Sequence, residues 1–309
     1  MSMSSQNTEA AINASEAEQA PSRVSMYYEL TKPGISKMVM MTTLAGYHLA
    51  LPSTTSLFST TQAAHLAATM FGTLLISSGS CVVNHILERD VDARMKRTAK
   101  RPIPSGAISM RSASIFAAVL SLGGAALLLT VNALTFWLAI ATWLSYVMVY
   151  TPMKTRSSLA VIVGGIPGAL PFMGGWTAVT GSADTMAWVL FAILFFWQLP
   201  HFYALSWMYR ADYRDGGMIL RAISDESGKT LAVQMTLTSF LLLVCAVLPT
   251  VIGVTGTVYL VGVSALGLWL TVQSALFYRN PDAATARKVL LTSYAVLMGI
   301  VVLMFLDKQ

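Results

Sequence analysis

Asn84, Glu88 and Asp92 stand four residues apart at the end of an apolar stretch, and Arg94, Lys96, Arg97, Lys100 and Arg101 follow at once. On a helix, residues four apart share a face with only modest drift. Three oxygen-bearing side chains on one face suit a hard cation such as Mg²⁺. The bases just beyond them suit a phosphate-rich ligand. A plain membrane boundary needs only bases, so the aligned acids point to chemistry. Asp90 lies nearly opposite that face and is expected to pair with a neighbouring base. The segment Arg101-Pro102-Ile103-Pro104-Ser105-Gly106 predicts a rigid turn, because two prolines and a glycine cannot continue a helix.

Two further clusters carry reactive types. Tyr150-Thr151-Pro152-Met153-Lys154-Thr155-Arg156 closes another apolar stretch. Interfacial Tyr and Lys anchors are ordinary; functionally, Lys154 can hold a phosphate and Tyr150 can present its ring face to a developing cation. The third cluster is Trp197-Gln198-Leu199-Pro200-His201-Phe202-Tyr203, which runs on to Asp212 and Asp215. A polar ring inside an apolar span is a functional candidate by default, and Pro200 frees a backbone carbonyl beside it. Asp212 and Asp215 form a second acidic patch, and Asp225, Glu226 and Lys229 follow in a polar loop. His48 and His65 fall near the opposite end of their spans, and His85 points about 100° away from Asn84.

The elements that must position these residues are legible in the composition. The chain of 309 residues is 55% hydrophobic and only 11% charged, with a mean hydropathy of +0.63. That is the composition of an all-α polytopic membrane protein, not of a soluble domain. Apolar runs predict about nine transmembrane helices, near 35–53, 63–87, 112–131, 133–150, 159–179, 186–208, 232–253, 257–278 and 288–306. With the N-terminus in the cytoplasm, every one of the 20 Lys and Arg except Lys308 falls on the cytoplasmic side, as the positive-inside rule requires. Of the 14 acids, only Asp184 and Asp307 face outward. An ionised group at mid-membrane costs about 2.5–3.5 kcal/mol even on lenient scales, and gathering the charge at one face avoids that cost. The three clusters therefore share a cytoplasmic mouth. Residues 1–28 are expected to form a disordered cytosolic tail, and residues 29–309 one membrane domain. The tail has neither the apolar core of a signal peptide nor the acid-poor make-up of a transit peptide. Cys81 and Cys245 lie far apart in apolar runs and are expected to be packed thiols. The basic charge is at a membrane face, so no nucleic-acid partner is implied.

In combination, Asn84-x-x-x-Glu88-x-x-x-Asp92, Met95-Lys96-Arg97-Thr98, Arg101-Pro102-Ile103-Pro104-Ser105-Gly106, Tyr150-x-x-x-Lys154 and Trp197-Gln198-Leu199-Pro200-His201-Phe202 resemble the UbiA-type intramembrane prenyltransferases. Within them the pattern looks like the haem O synthase (protohaem IX farnesyltransferase) branch, which Leu30-Thr31-Lys32-Pro33-Gly34 and Asp212-Tyr213 also fit. The match runs from about Leu30 to the last span. The resemblance implies nine helices around a central cavity, Mg²⁺ as cofactor, farnesyl diphosphate and haem b (protohaem IX) as substrates, and haem O as product. It also implies a bacterial cytoplasmic (inner) membrane, and haem A synthase or terminal oxidase assembly proteins as partners. Carried over residue by residue, Asn84, Glu88 and Asp92 hold the first Mg²⁺–diphosphate site and Asp212 serves the second. Lys154 contacts the diphosphate, with Lys32, Arg97, Arg101 and Lys229 as further cationic contacts. Tyr150 lies near the allylic carbon. With haem as substrate, His201 is the expected haem contact, either as iron ligand or in orienting the ring. The chain departs from the wider superfamily in two places. Its second motif offers Asp212 and Asp215, three apart instead of four. Its first has Glu88 where many members use Asp.

Two rivals are weighed against this reading. A UbiA-type enzyme acting on an aromatic quinone precursor predicts a polar pocket for a small aromatic acid and has no need of a His in the sixth span. A transporter of an anionic lipid needs polar gating at both faces, whereas here the outer face is almost uncharged.

Overall fold

The computed structural model describes residues 22–52, 55 and 60–309. Thirteen helices account for most of them: α1 Arg23–Leu30, α2 Pro33–Ala50, α3 Thr60–Leu87, α4 Arg89–Arg94, α5 Met110–Val131, α6 Ala133–Leu144, α7 Ala160–Thr180, α8 Thr185–Met208, α9 Arg210–Asp215, α10 Arg221–Ser224, α11 Lys229–Val251, α12 Thr257–Phe277 and α13 Ala283–Leu306. Beyond Leu144, α6 runs on through a π-helical turn, Ser145–Tyr150, and a last turn, Thr151–Met153.

Among the described residues, eight helices are long and apolar enough to cross a membrane. The ninth expected span is α2, which is more polar. Its Ser36, Thr42 and Thr43 are buried against the protein, so lipid does not meet them. A helix thus stands at each expected span, but several start earlier than hydropathy alone indicated. Helix α13 begins at Ala283 because Asp282 and Thr285 form a reciprocal cap, Asp282 Oδ1 accepting from the Thr285 N–H at 2.7 Å. Helix α11 begins at Lys229, after Gly228 turns the chain with φ 68°. Arg287, Lys288 and Lys229 ride on these first turns with their charge at the rim. The expected tail 1–28 needs a similar correction. Residues 1–21 lie outside those described, but from Arg23 the chain is helical, started by Ser22, whose hydroxyl accepts from the Ser25 N–H at 3.1 Å.

Helices α2, α3, α5, α6 and α7 form one group, and α8, α11, α12 and α13 a second. The groups join where α7 meets α8 and where α2 meets α13. Apolar burial adds little to helix association inside lipid, so close backbone approach has to do the work. At the α2–α7 crossing a Cβ on Gly46 would strike the Phe172 carbonyl, and one on Gly175 would strike the Thr43 carbonyl. Between α3 and α5, Gly79 meets Ser121 and Gly124 meets the backbone of Gly72 and Ile76 in the same way. Cys81 and Cys245 are free thiols, as expected.

Gly175→Val puts two methyl groups against backbone that cannot yield. It is expected to lower stability by about 1–3 kcal/mol, read as an earlier unfolding midpoint in detergent. An unchanged midpoint would mean that α2 and α7 do not depend on this contact.

Candidate active site

The first acidic ladder does not lie on one unbroken helix. Helix α3 ends at Leu87, Glu88 adopts φ −92° and ψ 8°, and α4 begins at Arg89. The four-residue relation survives through backbone bonds, Glu88 N to Asn84 O at 2.9 Å and Asp92 N to Glu88 O at 2.7 Å. Asn84, Glu88 and Asp92 are all buried. Asp90 points to solvent and pairs with Arg89 Nε at 3.0 Å, as the sequence suggested.

Each member of the ladder has its own cationic or polar partner from elsewhere in the chain. Asn84 Oδ1 accepts from Lys32 Nζ. The Asn84 amide nitrogen donates to Thr151 Oγ1 at 3.0 Å, and the Thr151 hydroxyl in turn donates to the Tyr146 carbonyl at 2.9 Å. Since Thr151 has one proton and spends it on a carbonyl, it can only accept from Asn84. This fixes the amide with its oxygen toward Lys32. The π-helical turn places Thr151 there, and such turns are frequent at functional sites. Lys32 is the one non-glycine among the described residues with positive φ, at 50°. A backbone held in that region costs of order 1–3 kcal/mol, and here it aims the lysine at the ladder.

Glu88 Oε1 pairs with Lys154 Nζ at 2.7 Å, both side chains being nearly out of solvent. Burial opposes ionisation of Glu88, but Lys154 and Lys32 outweigh it and hold the carboxyl below the usual range. For Lys154 burial acts downward, and Glu88 reverses it and pushes the ammonium well above its ordinary value. Lys32 shifts the other way, because its desolvation exceeds the help from Glu88. Lys154 also sits 4.5 Å from the Tyr150 ring centroid. That ring lies where a side chain on Gly164 would be, so the glycine makes room for it.

Asp92 Oδ2 receives Arg101 Nη1 at 2.8 Å and has His85 Nδ1 at 3.7 Å. His85 therefore belongs to the site even though it points away from Asn84; the turn at Glu88 swings Asp92 back toward it. Thr98 steadies the segment by donating its hydroxyl to the Asp92 carbonyl at 2.8 Å. Asp92 Oδ1 is buried without a hydrogen-bond partner among the described residues. Among those residues no three His, Cys, Asp or Glu side chains converge as a metal cage. A cation here would share two carboxylates and one amide with oxygens from a ligand.

Lys32, Tyr150 and Lys154 form the mouth of a cavity of about 330 Å³. Its far wall reaches Leu128 and Thr135. Thr135 precedes Lys154 by nineteen residues on the α6 span, about 28 Å of helix at 1.5 Å per residue. Most of the lining is apolar. The polar exceptions on the α8–α13 side are Gln198, His201 and Tyr294. His201 stacks on Trp197 with ring centroids 5.1 Å apart.

Arg97, Lys229, Asp212 and Asp215 are not among the residues that line this cavity. Arg97 lies over Tyr209 and Tyr213, 5.2 and 5.9 Å from their centroids, and Lys229 over Tyr278 at 5.7 Å. Asp212 is half-buried on α9 and Asp215 exposed. The two acid-bearing segments nevertheless meet, as Arg94 donates to the Gly216 carbonyl at 3.0 Å and Ile219 N–H to the Lys154 carbonyl at 2.8 Å.

Comparison with known proteins identifies the family and the fold. Residues 39–301 match the UbiA prenyltransferase family. A protoheme IX farnesyltransferase of Solibacter usitatus is 38% identical over 286 residues, 91% of this chain and 98% of that relative. One from Salinibacter ruber is 39% identical over 282 residues, covering 91% and 98%. Among solved structures, digeranylgeranylglyceryl phosphate synthase superposes with a TM-score of 0.75 at 19% identity, over 92% of this chain and 97% of that one. A UbiA homolog from Archaeoglobus fulgidus bound to GPP and Mg²⁺ gives a TM-score of 0.65 at 14% identity, over 89% and 100%.

Lys154→Ala leaves Glu88 buried and unpaired, which is expected to cost about 3–5 kcal/mol. Adding Glu88→Gln should restore most of the loss; chemical denaturation in detergent checks both. The depressed Glu88 carboxyl contributes stability above the ordinary carboxylate range, and the contribution is lost as pH falls through the folded value. The stability gap between the wild type and Glu88→Gln should therefore close on acidification, and a gap independent of pH would contradict the ion pair.

Proposed function

Because this multi-pass membrane protein belongs to the UbiA prenyltransferase family, we propose that it transfers the farnesyl group of farnesyl diphosphate to a vinyl group of haem b, with addition of water, giving haem O. The observation that carries the reading is the convergence of the Asn84–Glu88–Asp92 ladder with Lys32 and Lys154 at the mouth of a deep apolar cavity. Relatives over 90% of the chain are named for this acceptor and this prenyl group. We place the mouth at the cytoplasmic face of the inner membrane on the distribution of bases, with haem A synthase or oxidase assembly proteins as downstream partners.

The residues fit Mg²⁺. Asp92 Oδ1 is a buried oxygen without a partner, and Asn84, Glu88 and Asp92 offer the oxygen ligands a hard cation prefers. Asp212 would serve a second ion. Bound there, Mg²⁺ would supply positive charge to offset that growing on the leaving diphosphate. Lys154 and Lys32 turn their ammonium groups to the diphosphate oxygens, and Arg101 stands beside them on Asp92. Fixed charges of this kind are each worth about 10²–10³ in rate. For Arg97 and Lys229 to join them, each has to leave its tyrosine face. The carbon–oxygen bond of the allylic diphosphate breaks, and the Tyr150 ring faces the resulting cation. The apolar walls keep water from that cation. A haem vinyl carbon attacks it, and the new carbon–carbon bond leaves positive charge on the adjacent carbon. Water adds there and one proton departs.

Membranes containing the protein, supplied with haem b, farnesyl diphosphate and Mg²⁺, should yield a haem heavier by one farnesyl group plus water, read by mass spectrometry of the haem extract. Asp92→Asn or EDTA should lower the yield at least about 10²-fold. Prenylation of a hydroxybenzoate in place of haem would overturn the acceptor. Normal turnover in Asp92→Asn would remove Asp92 from the metal site.

A further inference from the structure

His201 on α8 and Ser293 on α13 are tied by a hydrogen bond of 2.9 Å between Nδ1 and Oγ. Ser293 Oγ also lies 2.6 Å from the Leu290 carbonyl, one turn back on its own helix. A carbonyl only accepts, so that short contact takes the single hydroxyl proton of Ser293. Were the proton directed to His201 instead, two oxygens would face each other at 2.6 Å with no hydrogen between them. Ser293 Oγ must therefore accept from His201, which places the imidazole proton on Nδ1. A neutral imidazole has one proton to place, so Nε2 keeps its lone pair.

The rest of the surroundings hold the plane of the ring. Trp197 lies against one face of the imidazole and donates its indole N–H to the Ser293 carbonyl at 2.6 Å. The same residue of α13 thus anchors both the ring and the indole stacked on it. Tyr294 meets the ring edge-on, with centroids 4.7 Å apart and planes at 85°. Among the described residues no group hydrogen-bonds Nε2, nor is it a buried atom without a partner, and His201 lines the cavity. An imidazole of fixed plane and fixed tautomer, lining an apolar cavity with its Nε2 unbonded, is the arrangement that metal-binding histidines require. Their other nitrogen almost always donates to an oxygen acceptor that sets the tautomer.

We propose that His201 Nε2 is the axial ligand to the iron of the haem substrate, and that Ser293 is the positioning residue that holds it in the ligating tautomer. The proposal rests on haem being the acceptor. It adds how the ring is held, by one nitrogen–iron bond with no covalent step. It also assigns a role to Ser293, which no spacing in the sequence singles out.

The test is haem b binding to the purified full-length protein in detergent, followed by absorbance and by the iron–histidine stretch in resonance Raman spectra of the ferrous complex. The wild type is expected to show a histidine-ligated spectrum that His201→Ala abolishes. Ser293→Ala removes the acceptor and lets the ring populate both tautomers. It is expected to weaken haem binding about 10–100-fold and to shift the iron–histidine band, while Ser293→Thr, which keeps the hydroxyl, restores both. A histidine-ligated spectrum that survives in His201→Ala would overturn the ligand. An Ala variant at Ser293 with the wild-type band and affinity would overturn the positioning role alone. If Thr failed to rescue a folded Ala variant, packing and not the hydrogen bond would be the cause, which also overturns it. Histidine ligation without haem O formation would refute the transfer reaction and leave this assignment standing.

Discussion

Two carboxylates buried at the rim of an apolar cavity must be neutralised, and the site is organised around that requirement. Glu88 takes Lys154 and Asp92 takes Arg101, while Lys32 goes to the neutral amide of Asn84. Three cations face two anions, so the mouth carries a surplus of positive charge ready for an anionic ligand. A buried charge left alone is worth several kcal/mol of destabilisation. Two of the partners, Lys32 and Lys154, therefore come from distant parts of the chain and bind those parts together, while Arg101 follows nine residues after Asp92.

Orientation at the site is set by hydroxyl groups more than by the charges themselves. Thr151 and Ser293 each spend their one proton on a helix carbonyl, Tyr146 and Leu290 respectively, and so become obligate acceptors. One thereby fixes the amide of Asn84 and the other the imidazole of His201. In a span without water, a hydroxyl bonded back to its own helix satisfies its donor at little cost and leaves a directed lone pair. The device needs rigid helices, which the glycine contacts between α2 and α7 and between α3 and α5 supply.

The chemistry is divided by polarity. The charged side chains gather at the mouth, where they are buried against one another, and the long apolar interior admits only Gln198, His201 and Tyr294 from the α8–α13 side. Such a cavity suits one ligand with an anionic head and an apolar tail.

Much of this was legible in the sequence because it follows from local periodicity and hydration. The spans follow from the cost of exposing polar backbone to lipid, and the common face of the charges from the cost of burying them. The ladder of Asn84, Glu88 and Asp92 follows from the pitch of a helix, and the π-turned end of α6 carries the expected Tyr150 and Lys154. The tertiary structure decided what those periods cannot encode. It broke the helix at Glu88 and brought His85 to Asp92. It gave Arg97 and Lys229 to tyrosine faces, and it matched Asn84 with Thr151 and His201 with Ser293, residues 67 and 92 positions apart. Amino-acid spacing reports which side chains share a helix face. Which nitrogen of a ring carries the proton depends on an oxygen from another helix, and only packing brings that oxygen within reach.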